Sequence, residues 1–103
     1  MTNPRFTWDE DKNLSIQRKH GLSFEVAARA FLDPLQLSRQ DRIEDGEQRW
    51  QTMGQRGQID GLAIVVVAHT FTEARSVDEQ VEVIRFISAR PATRREGNRH
   101  EEG

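Results

Sequence analysis

From Val83 to Glu96 the chain reads VIRFISARPATRRE, which sets Arg85, Arg90, Arg94 and Arg95 beside one of its most apolar stretches. Guanidinium groups suit phosphate: the planar fork offers paired donors and stays charged at any physiological pH. A run of arginines is more commonly solvated or paired with acids, and Glu96, Glu101 and Glu102 lie close by for that purpose. If the arginines do converge, the chemistry they suit is cleavage of RNA without a metal. The ribose 2′-hydroxyl attacks its own phosphate, and the protein positions the backbone, moves protons and stabilises charge on the phosphorane. Arginine and lysine can do the stabilising, and histidine or glutamate can move protons. All four types occur in KHG, Lys19 to Gly21, and in SARPATRRE.

Other residues carry weaker signals. Lys19 and His20 at a helix end complement the helix dipole as readily as they form a catalytic pair. Trp8 and Trp50 suit packing as well as base stacking. His69 ends an apolar run and is expected to be a hydrogen-bonded core histidine. His20, His69 and His100 lack the spacing of a metal site, and no cofactor is called for. Walker, GxGxxG and GxSxG motifs are absent from the sequence. With no cysteine there is no disulfide and no thiol chemistry, which fits a reducing compartment. The amino-terminal residues show no secretory pattern, and Leu62 to Ala68 is too short an apolar run to span a membrane. A cytoplasmic protein is therefore expected. A net charge of -2 argues against a general nucleic-acid binder, which would need a continuous basic face and salt-sensitive affinity.

The elements that must position these residues fit one domain of 103 residues. DEDKNLSIQRKHG predicts a helix with Asp9 as cap, acids in its first turn, Lys19 and His20 in its last, and Gly21 as exit. Only Leu14 and Ile16 give it an apolar face. Ser23 caps a second helix whose Phe24, Ala27, Ala28 and Phe31 form one stripe, ended by Asp33–Pro34. Strands follow at LQLS, RWQTMG, LAIVVVAHTF and VEVIRFISA, with Arg39–Glu47, QRGQIDG and TEARSVDEQ as connections. Thr93 and Glu96 make a capping-box pattern that opens a short terminal helix, weakened by Gly97, and the tail from about 97 to 103 is expected to be flexible. The fold class is α+β: two N-terminal helices on a four-stranded, mainly antiparallel sheet with a short C-terminal helix, leaving one sheet face free for function. Strict alternation sends Arg85 and Arg90 to opposite faces, unless a bulge or the strand end at Pro91 re-aims Arg90.

The order and spacing of FTWDEDKN, KHGLSF, DPL, QRWQTMG and ISARPATRRE, from Phe6 to about Glu96, resemble the BrnT family, ribonuclease toxins of type II toxin–antitoxin modules. The resemblance implies a single toxin domain over 1–103 with a RelE-like fold, metal-independent RNA cleavage that inhibits translation, and a bacterial cytoplasmic setting. It implies a BrnA-type antitoxin partner in a complex expected to be 2:2, which reaches operator DNA only through the antitoxin. Carried onto this chain, it points to Lys19, His20, Arg85, Arg90 and Glu96 as catalytic and to Trp8, Arg49, Trp50 and Arg94 as RNA-binding. Arg85 and Arg90 would hold the scissile phosphate, Lys19 would add positive charge, and His20 or Glu96 would carry the proton. Family members often have a tyrosine shortly after TRRE, whereas this chain has no tyrosine and shows His100 nearby. The alternative is a toxin-fold partner with little or no catalysis that serves mainly as antitoxin co-repressor.

Overall fold

The computed structural model describes residues 4–55, 64–75 and 80–102. The elements run β1 (Arg5–Thr7), α1 (Glu10–His20), α2 (Phe24–Ala27) continuing as a 3-10 segment (Ala28–Leu32), β2 (Leu37–Glu44), β3 (Glu47–Gln55), β4 (Ile64–Arg75), β5 (Gln80–Pro91) and α3 (Arg94–Glu102). One sheet holds all five strands in the order β1-β5-β4-β3-β2. β1 runs parallel to β5 and every other pair is antiparallel.

The α+β class holds, and three details differ from expectation. There are five described strands rather than four, because Arg5–Thr7 adds a short parallel edge to β5. Leu37–Glu44 is one strand through most of the stretch expected to be a loop. As an edge strand with exposed side chains on both faces, it lacks the alternation that marks a half-buried strand. Asp45 and Gly46 join it to β3 with φ of 53° and 76°, the left-handed pair of a two-residue hairpin turn. Lastly, α3 continues through Gly97 to Glu102 instead of fading, because His100 anchors its far end. The QRGQIDG connection lies largely outside the described residues.

α1 is capped as expected: the Asp9 carboxylate accepts from the Asp11 amide at 2.8 Å, and Gly21 exits at φ 64°. It docks through a polar residue as well as an apolar one. Asn13 and Ile16 are buried, while Leu14 is largely exposed. Asn13 accepts from the Phe24 amide at 2.8 Å and donates to Glu10 and Glu25, which ties α1 to the start of α2.

The helices cover one face of the sheet. Phe24, Ala27 and Ala30 meet Val65, Val67, Ile84, Phe86 and Ala89 there. Phe86 is the hub, with the rings of Phe6, Trp8, Phe24 and Phe31 all centred within 5.7 Å. Gly54 lies beneath the 3-10 segment, where a Cβ would collide with the carbonyl oxygen of Ala30. Backbone cannot swing aside as a side chain can. Gly54→Ala is therefore expected to cost about 1–3 kcal/mol, read as a lower urea midpoint at unchanged slope.

Candidate nucleic-acid interface

The opposite face of the sheet carries the arginines, and a β-bulge puts them there. Along β5, Ser88 pairs with Ala68 but Phe86 pairs with the next residue, His69, so Ile87 is an extra residue in the ladder. That extra residue inverts the alternation. Phe86 and Ala89 both enter the core beneath the helices, while Arg85, Ser88 and Arg90 share the other face. The register extends this face across the sheet: Leu37, Met53, Val66 and Arg90 form one row, and Arg39, Gln51, Ala68 and Ser88 the next. Arg49, two residues before Gln51 on β3, belongs to the same side.

α3 overhangs one end of this face. Met53, Ile64 and Val66 make a second small core there, with Leu37 and Ala92 against it. A cleft of about 140 Å³ lies beside it, with Met53 and Val66 as floor and Arg39, Gln51, Glu96 and Arg99 at its rim. Two latches hold the helix. At its start Thr93 and Glu96 form a capping box, in which Glu96 Oε1 accepts from the Thr93 amide at 2.9 Å and Thr93 Oγ1 from the Glu96 amide at 3.2 Å. At its far end buried His100 meets the buried Asp33 carboxylate, Nε2 to Oδ2 at 2.7 Å. Asp33 also accepts from the Leu35 and Gln55 amides. Burial alone would raise the Asp33 pKa, but those hydrogen bonds and His100 outweigh it and lower it.

The arginines are held by carboxylates. Arg90 grips Glu96 with both arms of its fork, at 2.7 and 2.8 Å. Arg85 reaches over β4 to Glu47 at 2.6 Å, and Arg49 lies 3.6 Å from Glu44. Arg85 and Arg90 remain 45% and 40% exposed, so a ligand can approach both. The hydrogen bond from Arg90 is the main reason the Glu96 pKa falls to about 2. Arg90 shifts upward for the same reason.

The sign of the pH effect follows. Glu96 titrates lower in the folded chain than in the unfolded one, so its stabilisation is complete above about pH 4.5 and is lost as pH falls through about 2. The pair is partly exposed, so after solvent screening it contributes on the order of 1 kcal/mol. Glu96→Gln should lower stability by about that amount at neutral pH and flatten the loss between pH 4.5 and 2. Urea midpoints taken across that range check both.

Of the other expected site residues, Lys19, His20, Trp8 and Trp50 do not share the arginine face. Lys19 and His20 are exposed in the last turn of α1, an element that packs on the opposite face through Ile16. Trp8 packs into the aromatic core and donates to Glu10 at 3.2 Å. Trp50 lies on the helical side, paired with His69. Arg94 is exposed in the first turn of α3. His69 is the hydrogen-bonded core histidine expected: burial lowers its pKa and keeps it neutral. Sequence reasoning missed Arg39, Gln51 and Arg99. The Asp45–Gly46 dipeptide was the available signal, because a hairpin there makes Arg39 part of a strand beside β3.

Among the described residues, no three histidine, aspartate or glutamate side chains converge closely enough to hold a metal, and no helix is long and apolar enough to cross a membrane. The family model described as "Ribonuclease toxin, BrnT, of type II toxin-antitoxin system" matches residues 8–96. A search of curated proteins finds no match.

Proposed function

The chain belongs to the BrnT family of ribonuclease toxins of type II toxin–antitoxin systems, and from that premise we propose that it cuts RNA without a metal on its arginine-bearing face. The observation that carries this reading is the bulge at Ile87, which aligns Arg85 and Arg90 on one open side of the sheet. Glu96 occupies Arg90 in the way a phosphodiester would, with two oxygens on one fork. A bound phosphate exchanges one single negative charge for another, so taking Arg90 from Glu96 has a small Coulombic cost.

That exchange also changes Glu96. Paired with Arg90 it is too acidic to accept a proton readily. Released, its pKa rises toward the ordinary carboxylate range while Thr93 still holds it near the phosphate. In this reading Glu96 takes the 2′-hydroxyl proton and the 2′-oxygen bonds to phosphorus. The 5′-oxygen leaves, taking a proton from solvent, and Arg85 and Arg90 hold the charge on the phosphorane. Lys19 and His20, in the helical layer, are then left to complement the dipole of α1.

Membership in a type II toxin family implies an antitoxin partner. We take that partner to be of BrnA type in a 2:2 complex that binds operator DNA through the antitoxin, and the setting to be cytoplasmic with translation as the process stopped. One observation favours the second reading, a co-repressor with little catalysis: Arg85 and Arg90 are both already occupied by carboxylates. Inducing the chain alone and beside its antitoxin separates the two. The ribonuclease reading expects growth arrest and broken RNA, with cleavage by the purified protein persisting in EDTA. The co-repressor reading expects normal growth with the complex intact.

A further inference from the structure

On the helical side the layer stops short of the hairpin end of the sheet and leaves a cleft of about 310 Å³, within the lower range of small-ligand sites. Phe31, Trp50 and Phe71 contribute its aromatic walls, and Phe71 is 43% exposed at the mouth. A chain of hydrogen bonds runs inward along one side. Ser38 Oγ meets Thr52 Oγ1 at 2.7 Å, and Thr52 Oγ1 meets His69 Nε2 at 2.7 Å. His69 Nδ1 meets the Thr70 carbonyl oxygen at 3.2 Å.

The polarity of this chain can be worked out from its buried end. A carbonyl oxygen only accepts, so Nδ1 carries the proton, and a neutral imidazole then leaves Nε2 as acceptor. Burial keeps His69 neutral. Thr52 must therefore donate to His69, and Ser38 to Thr52. The Ser38 hydroxyl has spent its proton and offers only lone pairs to the cleft. Gln36 is in the same position: its amide nitrogen donates to the carbonyl oxygens of Phe31 at 2.8 Å and Asp33 at 3.3 Å, which leaves its carbonyl oxygen as acceptor. The cleft thus joins aromatic faces to two acceptors, and the Trp50 indole N–H is the one donor among these lining groups not already engaged.

We infer that this cleft binds an unstacked nucleobase of the RNA through aromatic contact with Trp50 and Phe71 and through N–H donors on its edge that meet Ser38 and Gln36. Single-stranded RNA is read in this way, by stacking on aromatic rings and by hydrogen bonds to exposed base edges. Guanine fits best, since its Watson–Crick edge has two adjacent donors. Adenine and cytosine pair one amino donor with a ring acceptor. Uracil flanks a single donor with two acceptors, which face the lone pairs of Ser38 and Gln36. The inference rests on RNA being the substrate but uses the face opposite the arginines, so base and phosphate would be held on opposite faces of the sheet.

Nucleosides, which carry no phosphate, test it by NMR titration of the full ¹⁵N-labelled chain. Guanosine is expected to shift the Trp50 indole N–H and the Ser38 amide, more tightly than adenosine or cytidine and most weakly as uridine. Inorganic phosphate should shift the Arg90 guanidinium instead. Trp50→Leu should weaken guanosine about tenfold or more, with Trp50→Phe retaining much of the affinity. Ser38→Ala, at an exposed position, should narrow the guanosine-to-uridine preference. Nucleosides that leave Trp50 unmoved, or that bind Trp50→Leu and Ser38→Ala as well as wild type, overturn the inference. So does a cleft that answers to the antitoxin and to no nucleoside. RNA cleavage is scored separately, so base binding without cleavage would count against the ribonuclease reading and not against this one.

Discussion

Arg90→Ala is expected to abolish growth arrest and to lower RNA cleavage by about a hundredfold or more, in line with removing one oriented donor from a developing anion. The side chain makes the only bidentate ion pair among the described residues, and it links β5 to α3. Its loss removes the fork meant for the phosphate and frees Glu96 permanently. Folding should survive, because the pair is partly exposed and contributes on the order of 1 kcal/mol. The capping box and the His100–Asp33 contact also still hold α3. The measurements are growth after induction, RNA integrity in EDTA, a thermal melt, and co-purification with antitoxin. Arrest that persists in a folded Arg90→Ala protein would remove Arg90 from the mechanism.

Phe86→Ala should have the largest effect on stability. Phe86 is 1% exposed, and four other aromatic rings close around it from β1, the β1–α1 junction, α2 and the 3-10 segment. The helical layer can collapse only partly into the space left behind, so the expected cost is about 3–5 kcal/mol. A domain of this size has about 5–15 kcal/mol in total, so much of that margin goes. Leu32→Ala, at a residue 81% exposed, is the control and should move the urea midpoint very little. A small loss at Phe86 would mean the aromatic cluster is not what binds the helices to the sheet.

Where apolar pattern decides structure, the sequence was readable. The Phe24 stripe, the β4 run, the cap at Asp9, the Gly21 exit and the Thr93–Glu96 box all form as their residue types require. Where pairing decides structure, it was not. β2 is exposed along nearly all its length and so has no hydrophobic alternation, although Asp45–Gly46 marked its turn. β1, from Arg5 to Thr7, has too few residues to show any period and exists because β5 offers it a parallel edge. Asn13, outside the apolar pair Leu14 and Ile16, is a fully buried joint between two helices.

The candidate site shows the same division. Residue type and family resemblance pointed to Arg85 and Arg90, but their placement on one face depends on one extra residue, Ile87, whose pairing no local pattern reveals. Lys19 and His20 drew attention for their types, yet they belong to the layer behind the sheet. His100 entered the sequence reading only as a histidine near TRRE and without metal-site spacing. Its partner Asp33 lies 67 residues away, and only the fold brings them together.

The central claim is that Arg85 and Arg90 together grip an RNA backbone. A 2′-O-methyl RNA cannot be cut by its own hydroxyl, so binding can be measured apart from cleavage. The direct measurement is the salt dependence of its affinity for wild type and for the Arg85→Ala, Arg90→Ala double variant. Each phosphate contact on a single strand contributes a slope of about 0.7 in log affinity against log salt, so losing two should flatten the slope by about 1.4. A flatter slope with affinity lowered at least about tenfold is the predicted result. Equal slopes and equal affinities for the two folded proteins would contradict it.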